Sequence, residues 1–198
     1  LLRLLEQSDP EDVFLVFCDR RVEVERLFRK LERSSFPIKA LHGGYEQEAR
    51  FRVMDAFRAK GVKALIATDV AGRGIDVSAI SHIVNYDIPE YHDDYVHRIG
   101  RTGRAGRAGE ALLFVAPRER HLLKAIERAT RQPITEMQLP SVDDVNAQRV
   151  TKFGDSITES LSSTNLGLFR KLIEDYEREH DVPLADIAAA LAVQSRDG

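Results

Sequence analysis

Four arginines, Arg98, Arg101, Arg104 and Arg107, stand within ten residues that contain no carboxylate. Gly100, Gly103 and Gly106 separate them, and His97 precedes them. A guanidinium is a rigid fork that matches phosphate oxygens. Glycine lets a backbone approach a ligand closely and present its N–H groups. The chemistry this spacing suggests is phosphate binding. A solvated basic loop is the plain alternative. A collagen-like tract is set aside, because no proline stands in the triplets.

Two further segments point the same way. In Ala64–Val77 an apolar run leads into Thr68-Asp69, a Gly72-Arg73-Gly74 turn and then Asp76. Ligands of parallel sheets sit beyond the carboxyl ends of strands. Thr68 there is placed to bond a phosphate, and Asp76 to accept from a ribose hydroxyl. Asp69 and Asp76 read equally as ordinary cap and turn residues. In Leu41–Arg50 a strand ends at His42, Gly43-Gly44 turn, and a helix begins. A helix start favours an anion, and Gln47 and Arg50 share one helix face. By itself this segment is weak, since Gly-Gly turns are common. His42, His82, His92, His97, His121 and His180 show no metal-ligand spacing with Cys18 or one another. Cys18, at a strand end, reads as packing rather than as a nucleophile.

These residues need strands to end beside one another. Apolar runs at Val13–Phe17, Ile38–Leu41, Lys63–Ala67, His82–Tyr86 and Glu110–Val115 read as five strands. Helical spacing falls at Arg21–Arg33, Glu46–Ala59, Tyr91–Ile99 and Pro117–Thr130, with Phe51, Met54 and Phe57 expected on one inner face. Apolar strands alternating with helices predict an α/β fold, a parallel sheet covered on both faces. This body is expected over residues 1–140.

After Pro133 and Pro140 the pattern becomes helix only. Ser141 and Asp144 resemble a capping box. Stripes follow at Val142–Leu161, interrupted by Gly154, then at Leu168, Leu172 and Tyr176, and at Leu184, Ile187 and Leu191. Residues 141–198 are therefore expected to form a small all-helical region whose apolar faces need a partner. A tail packed back on the body is the competing reading.

Composition excludes other classes. The chain has 198 residues, 29 Lys+Arg against 32 Asp+Glu, and 43% hydrophobic residues, too apolar for disorder. A single cysteine builds no disulfide scaffold and favours a reducing compartment. No apolar run approaches the roughly 20 residues of a membrane span, and no signal-peptide pattern opens the sequence. Of the charges, 6 basic and 11 acidic residues lie in 141–198, so the body is slightly basic and the tail acidic.

The three segments, in this order, resemble the second RecA-like domain of DEAD-box ATP-dependent RNA helicases. His97–Arg104 is similar to that family's His-Arg-Ile-Gly-Arg-Thr-Gly-Arg signature. Ala67–Asp76 is similar to its Ala-Thr-Asp-Val-Ala-x-Arg-Gly-x-Asp segment, and Leu41–Arg50 to its Leu-His-Gly segment. The tail resembles the region after the core in bacterial DeaD/CsdA-type helicases. Three departures stand out: Gly44 where the family usually has Asp, Gly72 where it has Ala, and Cys18-Asp19-Arg20 in place of a Thr-containing turn.

The resemblance implies roles. Arg101 and Arg104 would be catalytic arginine fingers for the γ-phosphate of ATP. Gly74, Asp76, His97 and Phe17 would line the nucleotide. Gly43, Gly44, Arg50, Thr68 and Arg73 would hold the RNA backbone, with little sequence preference. ATP and Mg2+ would be bound mainly by a first RecA-like domain of the same protein. The sequence itself holds neither a Gly-x-x-x-x-Gly-Lys-Thr loop nor an Asp-Glu-Ala-Asp run. The chain alone is thus expected to be inactive, a part of a longer cytoplasmic enzyme that pairs as a homodimer through residues 141–198. The alternatives at this point are a non-catalytic RNA-binding or dimerisation module and a superfamily 2 DNA helicase domain.

Overall fold

The computed structural model describes residues 1–198 except 35, 73, 74, 76, 78, 104, 105, 107, 139, 140 and 198. The side chains of 142, 145, 148, 149, 152 and 195–197 are also outside the description. The chain divides into two compact units, Leu1–Gln138 and Leu139–Gly198.

The first unit is a five-stranded sheet, β1 (Phe14–Phe17), β2 (Ile38–Leu41), β3 (Ala64–Ala67), β4 (His82–Asn85) and β5 (Glu110–Leu113), in the order β2-β3-β1-β4-β5. Every pairing is parallel. Side chains alternate across the sheet because a strand repeats every two residues. Leu15, Leu65 and Ile83 lie in one register row and enter one core, with Met54 and Phe57 of helix α3 (Gln47–Arg58). Phe14, Val16, Ile66 and Val84 enter the opposite core, with Val24, Leu27 and Leu31 of helix α2 (Arg21–Leu31). All four residues of β1 and of β3 are buried, as strands covered on both faces must be. This is the RecA-like sheet that the sequence predicts.

Helix α1 (Leu2–Gln7) was not foreseen; it buries Leu4 and Leu5, and Leu5 joins the α2 core. Helix α4 (Asp69–Gly72) is a single turn one residue after β3, and the sequence reading assigned no helix there. Helix α5 (His92–Ile99) precedes the arginine–glycine segment, and helix α6 (Arg120–Thr130) follows a 3-10 turn at Pro117–Glu119. Tyr95 of α5 and Ile126 of α6 meet in a third apolar cluster.

One core expectation is corrected. Met54 and Phe57 are buried, but Phe51 is 55% exposed. Each three-residue step on a helix falls about 60° short of a full turn. The buried stripe runs instead through Val53, Met54, Ala56 and Phe57.

The second unit consists of helices α7 (Val142–Ser160), α8 (Leu166–His180) and α9 (Leu184–Asp197). Ser141 caps α7: its hydroxyl accepts from the Asp144 N–H at 3.0 Å, and the Asp144 carboxylate accepts from the Ser141 N–H at 2.9 Å. The helix continues through Gly154, at a cost of about 1 kcal/mol relative to Ala. Among the described residues of this unit none is buried. Phe153, Ile157, Leu168, Phe169, Leu172 and Tyr176 are all exposed. No described helix of the chain is long and apolar enough to cross a membrane.

Candidate nucleotide and RNA site

Four strands end side by side, and the residues that follow them meet at the carboxyl edge of the sheet. Phe17 closes β1, and Cys18-Asp19 follow it. His42 follows β2, Thr68-Asp69 follow β3, and Asn85 closes β4 ahead of Asp87. A cleft of about 220 Å³ opens there, lined by Phe17, Asp69, Gly72, Asp94, His97, Arg98 and Arg101.

The arginines of the glycine-rich segment do different things. Arg98 is 2% exposed and turns inward. Its Nε donates to Asp69 Oδ1 at 2.7 Å and its Nη2 to Asp69 Oδ2 at 2.5 Å. Nη2 also donates to Asp19 Oδ1 at 2.9 Å, while Nη1 donates to the Asp87 carbonyl at 2.9 Å and to Asn85 Oδ1 at 3.3 Å. Its guanidinium lies 5.4 Å from the Phe17 ring centroid. Burial pulls the Arg98 pKa down, but hydrogen bonds to Asp69 and Asp19 outweigh it and the net shift is upward. Arg98 therefore ties the ends of β1, β3 and β4 together rather than offering a free fork. The sequence reading grouped it with the phosphate-binding arginines. The available signal was its spacing of three from Tyr95, on the buried face of α5.

Arg101 faces the cleft, half-buried, with Nη1 donating to the Ile75 carbonyl at 3.4 Å. His97 lines the same cleft from α5. Gly103 takes a φ of 67°, a left-handed turn that suits glycine. Phe17 forms the cleft wall with its ring against Gly72. A Cβ at position 72 would sit 2.5 Å from Phe17 Cε1, so the Gly72 departure from the family pattern makes room for that ring. Asp94, a cleft carboxylate, was not singled out from sequence.

Four of the expected RNA residues, Gly43, Gly44, Arg50 and Thr68, lie near the β2 and β3 ends. Gly43 and Gly44 are exposed in the turn before α3. Arg50 donates from Nη2 to the Ala71 carbonyl at 2.8 Å, joining α3 to α4. Thr68 is buried; its carbonyl accepts the Gly72 N–H at 2.7 Å. Arg73, Gly74, Asp76 and Arg104 lie outside the described residues. Burial, then the nearby carboxylates, push the Cys18 thiol well above its ordinary range, which suits packing rather than nucleophilic chemistry. Among the described residues no three His, Cys, Asp or Glu side chains converge as a metal site.

A parallel sheet with its polar residues gathered at the strand ends, and an arginine and a histidine facing a cleft there, defines a RecA-like domain. Residues 1–106 match the helicase conserved C-terminal domain family, and residues 140–198 match the RNA helicase DeaD dimerization domain family. The ATP-dependent RNA helicase DeaD of Mycobacterium tuberculosis is 57% identical over 198 residues, all of this chain and 35% of that protein. The RNA helicase CrhR of Synechocystis is 36% identical over 191 residues, 96% of this chain and 38% of that protein. The chain thus spans little more than a third of these curated relatives. Among solved structures, Escherichia coli DEAD-box protein SrmB bound to regulator of ribonuclease activity A aligns with a TM-score of 0.63 and 34% identity. That alignment covers 71% of this chain and 88% of that one. Saccharomyces cerevisiae Dbp5 bound to RNA and ADP BeF3 aligns at 0.63 and 32%, covering 76% and 39%. The chain belongs to the helicase conserved C-terminal domain family, as the C-terminal RecA-like domain of a DeaD-type DEAD-box RNA helicase with its helical dimerisation-type region.

Proposed function

We propose that the chain works as half of an ATP-driven RNA-unwinding core, supplying arginine fingers and part of the RNA-backbone surface. The observation that carries this is the contrast between two arginines three residues apart. Arg98 is locked into the sheet edge, and Arg101 is left facing the cleft. In this reading Arg101 and Arg104 stabilise negative charge on a phosphoryl group presented by a first RecA-like domain of the same protein. That domain holds most of the ATP and Mg2+. Phe17, His97, Gly74 and Asp76 line the nucleotide from this side, and the partly buried Arg101 needs little reordering to act.

Gly43, Gly44, Arg50, Thr68 and Arg73 form the surface for the phosphates of one RNA strand. Contacts of this kind read shape and the backbone, not sequence. The relatives described above are RNA helicases, which supports this reading. Closing of the two domains on one strand would exclude the duplex geometry and so melt it locally. Residues 1–140 act as the core half and residues 141–198 as a homodimerisation region, in a cytoplasmic enzyme.

The test is steady-state turnover of the parent helicase with Arg101→Ala and with Arg104→Ala. RNA-stimulated ATP hydrolysis should fall by about 10³-fold or more while RNA binding persists. Turnover within a few fold of the parent would overturn the finger assignment. The purified 198-residue chain should hydrolyse ATP negligibly with or without RNA.

A further inference from the structure

His42 stands where β2 gives way to the Gly43–Gly44 turn, and it is 5% exposed. Both ring nitrogens are engaged. Nδ1 accepts the Gly44 N–H at 3.1 Å. A nitrogen that accepts carries no hydrogen, so the proton of the neutral ring resides on Nε2. Nε2 lies 3.2 Å from Glu25 Oε1 of α2, in position to donate. The two contacts, made independently, require the same tautomer. Tyr45 meets the ring edge-on at 4.7 Å between centroids.

Arg21 completes the arrangement. It donates from Nε to Glu25 Oε1 at 3.2 Å, and its Nη1 reaches to within 2.6 Å of where a Cβ on Gly44 would sit. The side chain the family usually carries at this position would displace Arg21. Helix α2 and the turn are therefore joined through one imidazole and closed over by one guanidinium.

We propose that His42 is a positioning residue: in its neutral Nε2–H form it latches the Gly43–Gly44 turn to α2, and protonation releases the turn. Imidazolium has two donors and no acceptor, so the Gly44 N–H loses its partner and faces another N–H. The charged groups around the ring are Arg21 and Glu25 from α2, with the Tyr45 hydroxyl on the turn itself. Burial and then Arg21 lower the His42 pKa, and Glu25 opposes them; the net lowering keeps the latch closed at neutral pH. The consequence for RNA rests on the proposal that this turn contacts the RNA backbone.

Two measurements separate the latch from that reading. The first is nitrogen NMR of the His42 ring in the 198-residue chain across pH 5 to 8. The latch requires Nδ1 unprotonated and Nε2 protonated at neutral pH, with the Gly44 amide shifting as the ring titrates below the ordinary histidine value near 6.5. The opposite tautomer, or a Gly44 amide indifferent to the titration, overturns it.

The second is binding of a labelled single-stranded oligouridine by the parent helicase with a non-hydrolysable ATP analogue, over the same pH range. Wild type should weaken about fivefold as His42 is protonated. His42→Asn, whose amide oxygen can replace Nδ1 as acceptor, should keep affinity and lose the pH step. His42→Phe should be about fivefold weaker at every pH. A His42→Asn profile that retains the wild-type step overturns the proposed effect on RNA. Absence of RNA binding by wild type itself refutes the RNA-surface reading, and with it that effect, while the NMR result still decides the latch.

Discussion

Arg98 grips Asp69 in a two-point fork, Nε to Oδ1 at 2.7 Å and Nη2 to Oδ2 at 2.5 Å, from α5 across to the first residue of α4. A bidentate pair fixes orientation as well as distance. The remaining N–H groups reach Asp19, Asn85 and the Asp87 carbonyl, so one side chain sets the spacing of three strand ends. Removing it leaves carboxylates at the edge without their counter-charge. Arg98→Ala should destabilise the first unit by about 3–5 kcal/mol, read by urea denaturation of the chain. Arg98→Lys keeps the charge but not the fork and should recover only part of that loss. A loss for Arg98→Ala below about 1 kcal/mol would show that the network is incidental. Arg101→Ala, lacking such partners among the contacts described, should change stability by less than about 0.5 kcal/mol.

Phe17 and Gly72 are a matched pair. The ring occupies the space a β-carbon at 72 would need. Gly72→Ala should cost about 1–3 kcal/mol through overpacking, despite the better helix propensity of alanine. Phe17→Leu in the same chain should recover a good part of it, because contacting residues are not additive. Simple additivity of the two substitutions in thermal or urea melts would refute the pairing.

The helical unit exposes its apolar stripes. Leu168 is 72% exposed and Leu172 61%, and no described residue of the unit is buried. About 60 residues, none of the described ones buried, are marginal as a free-standing fold. If the proposed homodimer covers these stripes, light scattering should give close to twice 22.4 kDa for the chain. Leu172→Asp should return it to a monomer at the same concentration without changing the melting of the first unit. A concentration-independent monomer for the unsubstituted chain would reject the dimer.

How much was legible beforehand differs by element. The five strands and their flanking helices were visible because short apolar runs and 3.6-residue stripes are local signals. The Ser141–Asp144 cap is likewise a four-residue pattern. Phe51 was misplaced because three-residue spacing alone does not say where a helical stripe is centred, which depends on the sheet it meets. Helix α1 was missed because six residues give too short a period.

In the arginine–glycine segment, residue type and spacing are what the sequence determined alone, and the proposal of phosphate chemistry starts from them. It did not divide the arginines. Arg98 and Arg101 are alike in composition and context, and only the fold brings Asp19 and Asp69, 50 residues apart in the chain, to the same edge. Parallel pairing of β1 with β3 puts their carboxyl ends side by side, and the helix that follows β4 then directs one arginine inward. The tautomer of His42 has the same origin. Chain order supplies a histidine before two glycines, while the nearness of Glu25 on another helix is decided by packing, because long-range neighbours have no local signature.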